Sequence, residues 1–216
     1  LGLRAPITRR LMVTRWVAGN ESPLPAEPNF LIISNPLGDL PDADREADEL
    51  MALLDARGIA YDLLRGPRAT YIGVQQALVS GRYECIHYTG HAFFDREHPD
   101  RSGLHLAGGR NLPASQIEGI LRGRPIVFLN ACSSARQGEA QETGWEVGYT
   151  GPQAEGLASA FVSGGAAGFL GAQWPIFDAG SRDFSQTFYT ALLNGASTGE
   201  AMQAARELHG DRRGTD

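Results

Sequence analysis

From Phe30 onward the chain alternates short apolar runs with longer amphipathic segments. The apolar runs predict five strands, at residues 30–34, 59–64, 83–89, 125–131 and 166–174. Between and after them, apolar residues spaced every three or four positions predict helices near 42–58, 70–80, 113–123, 157–165, 181–194 and 198–209. Gly108 and Gly109 lie between two short apolar segments and predict a hairpin.

Strands that alternate with helices indicate an α/β fold, in which right-handed crossovers build a mostly parallel sheet covered by helices on both faces. The unbroken apolar runs "FLII" and "IVFL" are typical of strands buried on both faces. Residues 1–29 contain a possible strand and a linker rich in proline and polar residues. We therefore expect a preceding region at 1–29 and one domain at 30–216.

Composition narrows the possible partners. A chain of 216 residues suits a single sizeable core, and its net charge of −6 gives no electrostatic reason to expect direct nucleic-acid binding. No apolar run approaches the roughly 18 residues of a membrane-spanning helix, so no membrane association is expected. The chain opens on Leu1 rather than methionine, from which we expect a piece of a longer protein.

Only two cysteines are present, Cys85 and Cys132, and neither belongs to a zinc-like pair of cysteines. This excludes a disulfide framework and indicates a reducing compartment, so a cytoplasmic location is expected.

A histidine and a cysteine stand at the same end of two predicted strands. His91 follows the run that ends at Thr89 and Gly90, and Cys132 ends the run "PIVFLNA". If these strands are neighbours, about 4.8 Å apart, the loops after them leave the sheet side by side. A nearby imidazole can activate a thiol as a nucleophile, so the pair suits a cysteine nucleophile with a histidine base.

Less reactive interpretations stay open for these residue types. A cysteine at a strand end is often an inert core residue, and Cys85 and His87, inside the third strand, are interpreted as core or sheet-face residues. A zinc site from Cys85, His87 and His91 lacks an evident fourth ligand. No metal and no cofactor are therefore expected.

Several segments together resemble the CHAT domain, the caspase-like cysteine peptidase module related to separase. The segments are "HYTGHAFFD", "FLNACSS", "EGLASAFVSGGAAGFLGAQWPIFD" and "FYTALLNGASTGEAMQAAR". The resemblance runs in consistent order from about residue 83 to 207.

The resemblance implies a caspase-like three-layer sandwich and a catalytic dyad of His91 and Cys132. The implied reaction is hydrolysis of a protein substrate through a thioester, with the oxyanion held by the backbone N–H groups of Cys132 and Ala92. The family usually has glycine where Ala92 stands, so alanine would be strained here if the position needed a positive φ.

Substrate binding is also implied by the resemblance, at the segment "WPIFD". Gln173 and Trp174 would flank a cleft in which the substrate lies as an added strand. Asp178 would receive a basic side chain, or it is instead a helix-terminal aspartate. The family often has a second acidic residue where Phe177 stands, so both a basic and an apolar residue before the scissile bond stay possible.

A predicted loop of 24 residues, Ser133–Gly156, follows the nucleophile. It is either a surface insertion or a gating loop that orders when a regulatory domain or an activating partner protein acts. One alternative function is a catalytically idle CHAT-type interaction module. A second, a nucleotide-binding sheet, lacks the glycine-rich loop after the first strand that such a site needs.

Overall fold

The computed structural model describes residues 24–93, 95, 97–133, 153–171 and 178–210. At 132–133, 153–155, 178–182 and 209–210 it describes the backbone alone. The strands are β1 (Phe30–Ser34), β2 (Tyr61–Arg65), β3 (Cys85–Phe93), β4 (Gly103–Leu106), β5 (Arg110–Pro113), β6 (Ile126–Ser133) and β7 (Gly168–Gly171). The helices are α1 (Pro41–Asp55), α2 (Tyr71–Ser80), α3 (Ala114–Ile120), α4 (Gln153–Ser163), α5 (Asp178–Leu193) and α6 (Thr198–Gly210).

The seven described strands form one mostly parallel sheet. Strands β2, β1, β3, β6 and β7 lie side by side in that order, and all four pairings between them are parallel. The hairpin of β4 and β5 is antiparallel and joins β3 beyond the end of β1, where β4 pairs with Ala92 and Phe93. Strand β3 is therefore the centre of the sheet.

Helices cover both faces of the sheet, as predicted for a three-layer α/β sandwich. Helices α2, α3 and α4 pack on one face, around Ile33, Tyr88 and Val127. Helices α1, α5 and α6 pack on the other, around Ile32, Cys85 and Phe128. Alternate side chains of β1, β3 and β6 pack into the two cores, which explains why these strands are apolar almost without a break.

The five predicted strands are present. The first has the predicted ends, β2, β3 and β6 have shifted ends, β7 begins at Gly168 instead of 166, and the predicted hairpin supplies β4 and β5. Helix α1 starts at Pro41, whose fixed φ suits the first turn of a helix. Helix α4 starts at Gln153, so the last residues of the predicted loop 133–156 are helical. Within the described residues, no helix has the length and apolar character needed to cross a bilayer.

Gly103, the first residue of β4, is tightly enclosed. A Cβ there would lie 2.6 Å from the carbonyl oxygen of Leu112 and 2.9 Å from the Phe93 ring. We predict that Gly103→Ala lowers the free energy of unfolding by about 1–3 kcal/mol, because the backbone of β5 has to move.

Gly119 in α3 is the matched control, since a Cβ there meets nothing within 4 Å. Gly119→Ala should stabilise the protein by up to about 1 kcal/mol. Urea denaturation measures the free energy of unfolding of both variants. Equal changes in Gly103→Ala and Gly119→Ala would contradict the close packing described around Gly103.

Candidate active site

Parallel pairing of β3 with β6 places His91 directly opposite Cys132. The register aligns Gly90 with Ala131, His91 with Cys132 and Ala92 with Ser133. The expected adjacency of the two strands is confirmed. The expectation that His91 and Cys132 lie in loops after the strands is wrong: β3 continues to Phe93 because its last residues pair with β4 and β6, and β6 continues to Ser133.

The imidazole of His91 is held by a carboxylate from the loop between β1 and α1. Its Nε2 lies 3.1 Å from both carboxylate oxygens of Asp39. The His91 side chain is 21% exposed and that of Asp39 is 55% exposed, so the contact lies at the protein surface, at the carboxyl ends of the parallel strands. Sequence reasoning missed Asp39. Its signal was an acidic residue just after β1, at the edge where ligands bind in parallel sheets.

The loop that carries Asp39 has a defined shape. Asn35 adopts a positive φ of 46°, which asparagine tolerates better than most residues. Its side-chain amide donates to Asp44 at 2.8 Å and its side-chain oxygen accepts from the backbone N–H of Leu40 at 3.0 Å. Asp39 is therefore presented to His91 by a loop fastened at both ends.

Glycine at position 90 permits the close approach of that loop to β3. A Cβ on Gly90 would lie 2.9 Å from the Pro36 ring and 2.9 Å from the Tyr88 hydroxyl. The Gly-His pair of the sequence thus has a steric reason, because a larger residue before His91 would displace the loop or Tyr88.

The β4–β5 hairpin forms the other side of the histidine. The His105 ring lies edge-on to the His91 ring, with centroids 6.5 Å apart. The buried Tyr88 hydroxyl contacts the backbone carbonyl oxygens of His91, at 2.6 Å, and of His105, at 2.9 Å. Burial raises the pKa of Tyr88, so it stays a neutral donor that joins the two strands.

Ala92 fits its position without backbone strain. It is completely buried among apolar residues, and among the described residues other than glycine only Asn35 has a positive φ. The strain considered for alanine at this position is therefore absent. The part of Ala92 and Cys132 in an oxyanion hole stays a prediction.

Cys85 and His87 are confirmed as core residues. Both are completely buried, and burial raises the pKa of the Cys85 thiol, which keeps it protonated and unreactive. Burial lowers the pKa of His87 to about 3, so its imidazole is neutral. In the described part of the chain, no group of three His, Cys, Asp or Glu residues is arranged to hold a metal ion.

The buried carboxyl group of Glu46 lies against β3 and β6, two residues before His91 and Cys132. Oε2 of Glu46, on α1, accepts hydrogen bonds from the Thr89 hydroxyl at 2.9 Å and the Asn130 amide at 2.6 Å. Its Oε1 faces Nε2 of His87 at 3.4 Å, and Nδ1 of His87 contacts the Tyr189 hydroxyl at 3.1 Å. Sequence reasoning also missed Glu46, although it interrupts the apolar face of α1 one turn before Leu50.

Burial raises the pKa of Glu46 to about 7, and the hydrogen bonds from Asn130, Thr89 and Ser185 oppose that increase only in part. With the pKa of His87 lowered, the two facing groups form a neutral pair rather than an ion pair. Charging either of them alone inside the core is unfavourable.

None of the three residues expected to bind substrate has a described side chain. Gln173 and Trp174 lie outside the described residues, as does most of the predicted loop 133–156. Asp178 is the first residue of α5, and only its backbone is described. Its role, as a receptor for a basic side chain or as a helix-terminal residue, stays a prediction.

The fold is that of the caspase-like cysteine peptidases. Over 87% of this chain it is similar to the Arg-specific cysteine proteinase gingipain R, with a TM-score of 0.54 and 13% identity. Over 84% of the chain it is similar to separase of Saccharomyces cerevisiae, from its complex with securin, with a TM-score of 0.50 and 17% identity. The chain covers only 43% of the gingipain chain and 10% of the separase chain.

The chain belongs to the CHAT domain family, whose model matches residues 6–212. This confirms the family resemblance inferred from the sequence. The comparison with curated proteins returns no significant match.

Glu46 makes stability depend on pH in a predictable direction. Its pKa, raised from 4.5 to about 7 by burial, means that the folded protein keeps a proton that the unfolded chain releases within this range. The free energy of unfolding therefore falls as pH rises from about 4.5 to about 7, by up to about 3 kcal/mol from this group. Glu46→Gln cannot titrate. We predict that its stability relative to the wild type increases across this window and levels off above it.

Urea denaturation at several pH values checks this prediction. His87 acts in the opposite direction in both proteins, because its lowered pKa reduces stability as pH falls from 6.5 towards about 3. The difference between the two proteins is therefore the diagnostic quantity. A wild type that gains stability over Glu46→Gln as pH rises would indicate a charged Glu46–His87 ion pair instead.

Proposed function

We propose that this domain is a cysteine endopeptidase in which Cys132 is the nucleophile and His91 is the general base and acid. The observation that carries the proposal is the register that pairs His91 with Cys132 across two parallel strands, in a caspase-like fold. The described alternative nucleophile, Cys85, is buried and its pKa is raised, which disfavours a thiolate there.

The proposed reaction has two stages. His91 takes the proton of the Cys132 thiol, and the sulfur attacks the carbonyl carbon of the scissile peptide. The tetrahedral adduct collapses as the protonated His91 gives its proton to the leaving amine, which leaves a thioester on Cys132. Water, deprotonated by His91, then attacks the thioester and releases the carboxylate product and the thiol.

Asp39 supports this proton transfer by selecting the tautomer of His91. With Nε2–H donating to the carboxylate, Nδ1 is the nitrogen that is left to accept a proton. The carboxylate also stabilises the imidazolium that forms during each stage, as a third catalytic group does in hydrolytic triads. The proposed site is therefore a dyad with an orienting acid.

The remaining contributions extend the same proposal. Backbone N–H groups of Cys132 and Ala92 hold the oxyanion, while Gln173, Trp174 and Asp178 contact a protein substrate laid beside the sheet. Cleavage takes place in the cytoplasm and is controlled by a neighbouring domain or an activating partner. The idle interaction module differs in one respect: its biological output survives Cys132→Ala.

The first functional prediction concerns the nucleophile. With a fluorogenic peptide library and mass-spectrometric mapping of cleaved sites, Cys132→Ala should abolish cleavage and Cys85→Ala should retain it. Iodoacetamide should modify Cys132 in the folded protein before the buried Cys85. Labelling confined to Cys85, or cleavage that persists in Cys132→Ala, contradicts the assignment.

A second prediction concerns Asp39. Asp39→Asn should lower kcat about tenfold or more with little change in KM, because the orientation of His91 and the stabilisation of its cation are lost. His91→Ala sets the upper limit, a loss of about 10²–10⁴-fold.

Asp42→Asn is the matched control, because Asp42 is a neighbouring acid that pairs with Arg45 instead of the histidine. It removes the same charge from the same region of the surface and should leave kcat within about twofold, since exposed pairs contribute little. Equal losses in the two variants would show that general surface charge, rather than the contact with His91, is responsible.

A further inference from the structure

One buried carboxyl group joins β3 to β6 immediately before the candidate pair. Thr89 and Asn130 are register partners, and the same oxygen of Glu46 accepts a hydrogen bond from each. We propose that Glu46 is a positioning residue for the cysteine peptidase reaction: by joining Thr89 to Asn130 it sets the relative placement of His91 and Cys132. This inference rests on the proposed function and adds a residue to it.

The distance from the joined pair to the reacting pair is short. His91 lies two residues after Thr89 on β3, and Cys132 lies two residues after Asn130 on β6. His91 and Cys132 are also register partners. Two residues of a strand span about 6.6 Å, one full period of its alternation. If Glu46 changes the distance between β3 and β6 at Thr89 and Asn130, the distance between His91 and Cys132 therefore changes with it, because the two pairs are only two residues apart along each strand.

Helix α1 and the loop before it contact β3 at one point each. Asp39, two residues before the helix, holds the His91 ring, and Glu46, in its second turn, holds Thr89. Asp44, between them, ties the helix start to Ser34 and Asn35 at the end of β1. Helix α1, the loop before it and strands β1 and β3 therefore position the imidazole of His91 together.

The acceptor at position 46 needs no charge. Glu46 is enclosed by His87 and Thr89 of β3, Asn130 of β6, and Ser185 and Tyr189 of α5, with Glu49 as the nearby acid on its own helix. Glutamine has an oxygen for the two donors and an N–H₂ group that can face Nε2 of His87. With alanine at position 46, the side chains of Thr89, Asn130 and His87 lose their contact with the carboxyl group, which costs free energy.

The test compares three variants of the full chain at a temperature well below the lowest Tm. Glu46→Ala should lower kcat about tenfold or more with little change in KM, because a small displacement of reacting groups slows the chemical step rather than binding. Glu46→Gln should restore kcat to within about threefold of the wild type.

Leu54→Ala is the control for lost stability. Leu54 is fully buried on the same helix and faces the apolar core, two turns from Glu46. It should lower Tm while leaving kcat within about twofold of the wild type. If Glu46→Ala and Leu54→Ala change kcat equally, Glu46 is only a structural residue and the proposal is overturned.

A fourth variant, Thr89→Val, tests the proposal if Glu46→Ala does not fold. Thr89→Val removes one of the two donors while keeping the shape of the side chain, and it should lower kcat by a smaller factor, again with KM unchanged. An unchanged kcat in this variant counts against the proposal.

Alkylation separates failure of the inference from failure of the proposed function. The rate of iodoacetamide modification at Cys132, followed by mass spectrometry from pH 5 to pH 9 (roughly the range in which thiols and imidazoles titrate), does not require peptidase activity. Glu46→Ala should change this pH profile and Glu46→Gln should not.

If the wild type cleaves no peptide and the alkylation profile still changes, the peptidase function fails and the positioning role stands. If all variants share one profile, the positioning role is wrong whether or not the protein cleaves peptides.

Discussion

The parallel pairing of β3 with β6 is the interaction on which the rest of the structure depends. It extends over eight register partners, from Cys85 with Ile126 to Ala92 with Ser133, and crosses the middle of the sheet. Both strands are buried on both faces, so a slip of one residue would move each side chain from its own core to the core on the opposite face, where the packing does not fit it. The same register that protects the cores also sets His91 opposite Cys132.

Polar contacts concentrate at the carboxyl end of this pairing, where the cores end. Asn35, Asp39 and Asp44 shape the loop beside His91, and Glu46 joins the two strands from below. Asn35 and Glu46 are buried, and displacing the partner of a buried polar group costs free energy, so their contacts favour a single arrangement. This edge of the sheet is therefore held more specifically than apolar packing alone would require.

The local sequence pattern predicted most of the fold because each element carries its own periodicity. The apolar runs at β1, β3 and β6 and the hairpin glycines were sufficient to predict the three central strands and the β4–β5 hairpin. The ends of β3 and β6 were misjudged because Gly90 and Cys132 interrupt or end an apolar run, whereas hydrogen bonding to neighbouring strands continues the strand. A strand end is decided by its partners, which local pattern does not contain.

The candidate site divides in the same way. The sequence by itself determined the family and the α/β class, and it singled out the two residues of the proposed dyad, since a histidine and a cysteine at the same end of two apolar runs can be read from short segments. Only the tertiary structure decided which polar groups lie next to these two residues and their strands. Asp39 is 52 residues from His91 along the chain and Glu46 is 84 residues from Asn130, and nothing local marks either pairing. Such contacts arise because packing of α1 on the sheet brings distant polar groups within hydrogen-bonding distance, and no periodicity of a single element can encode them.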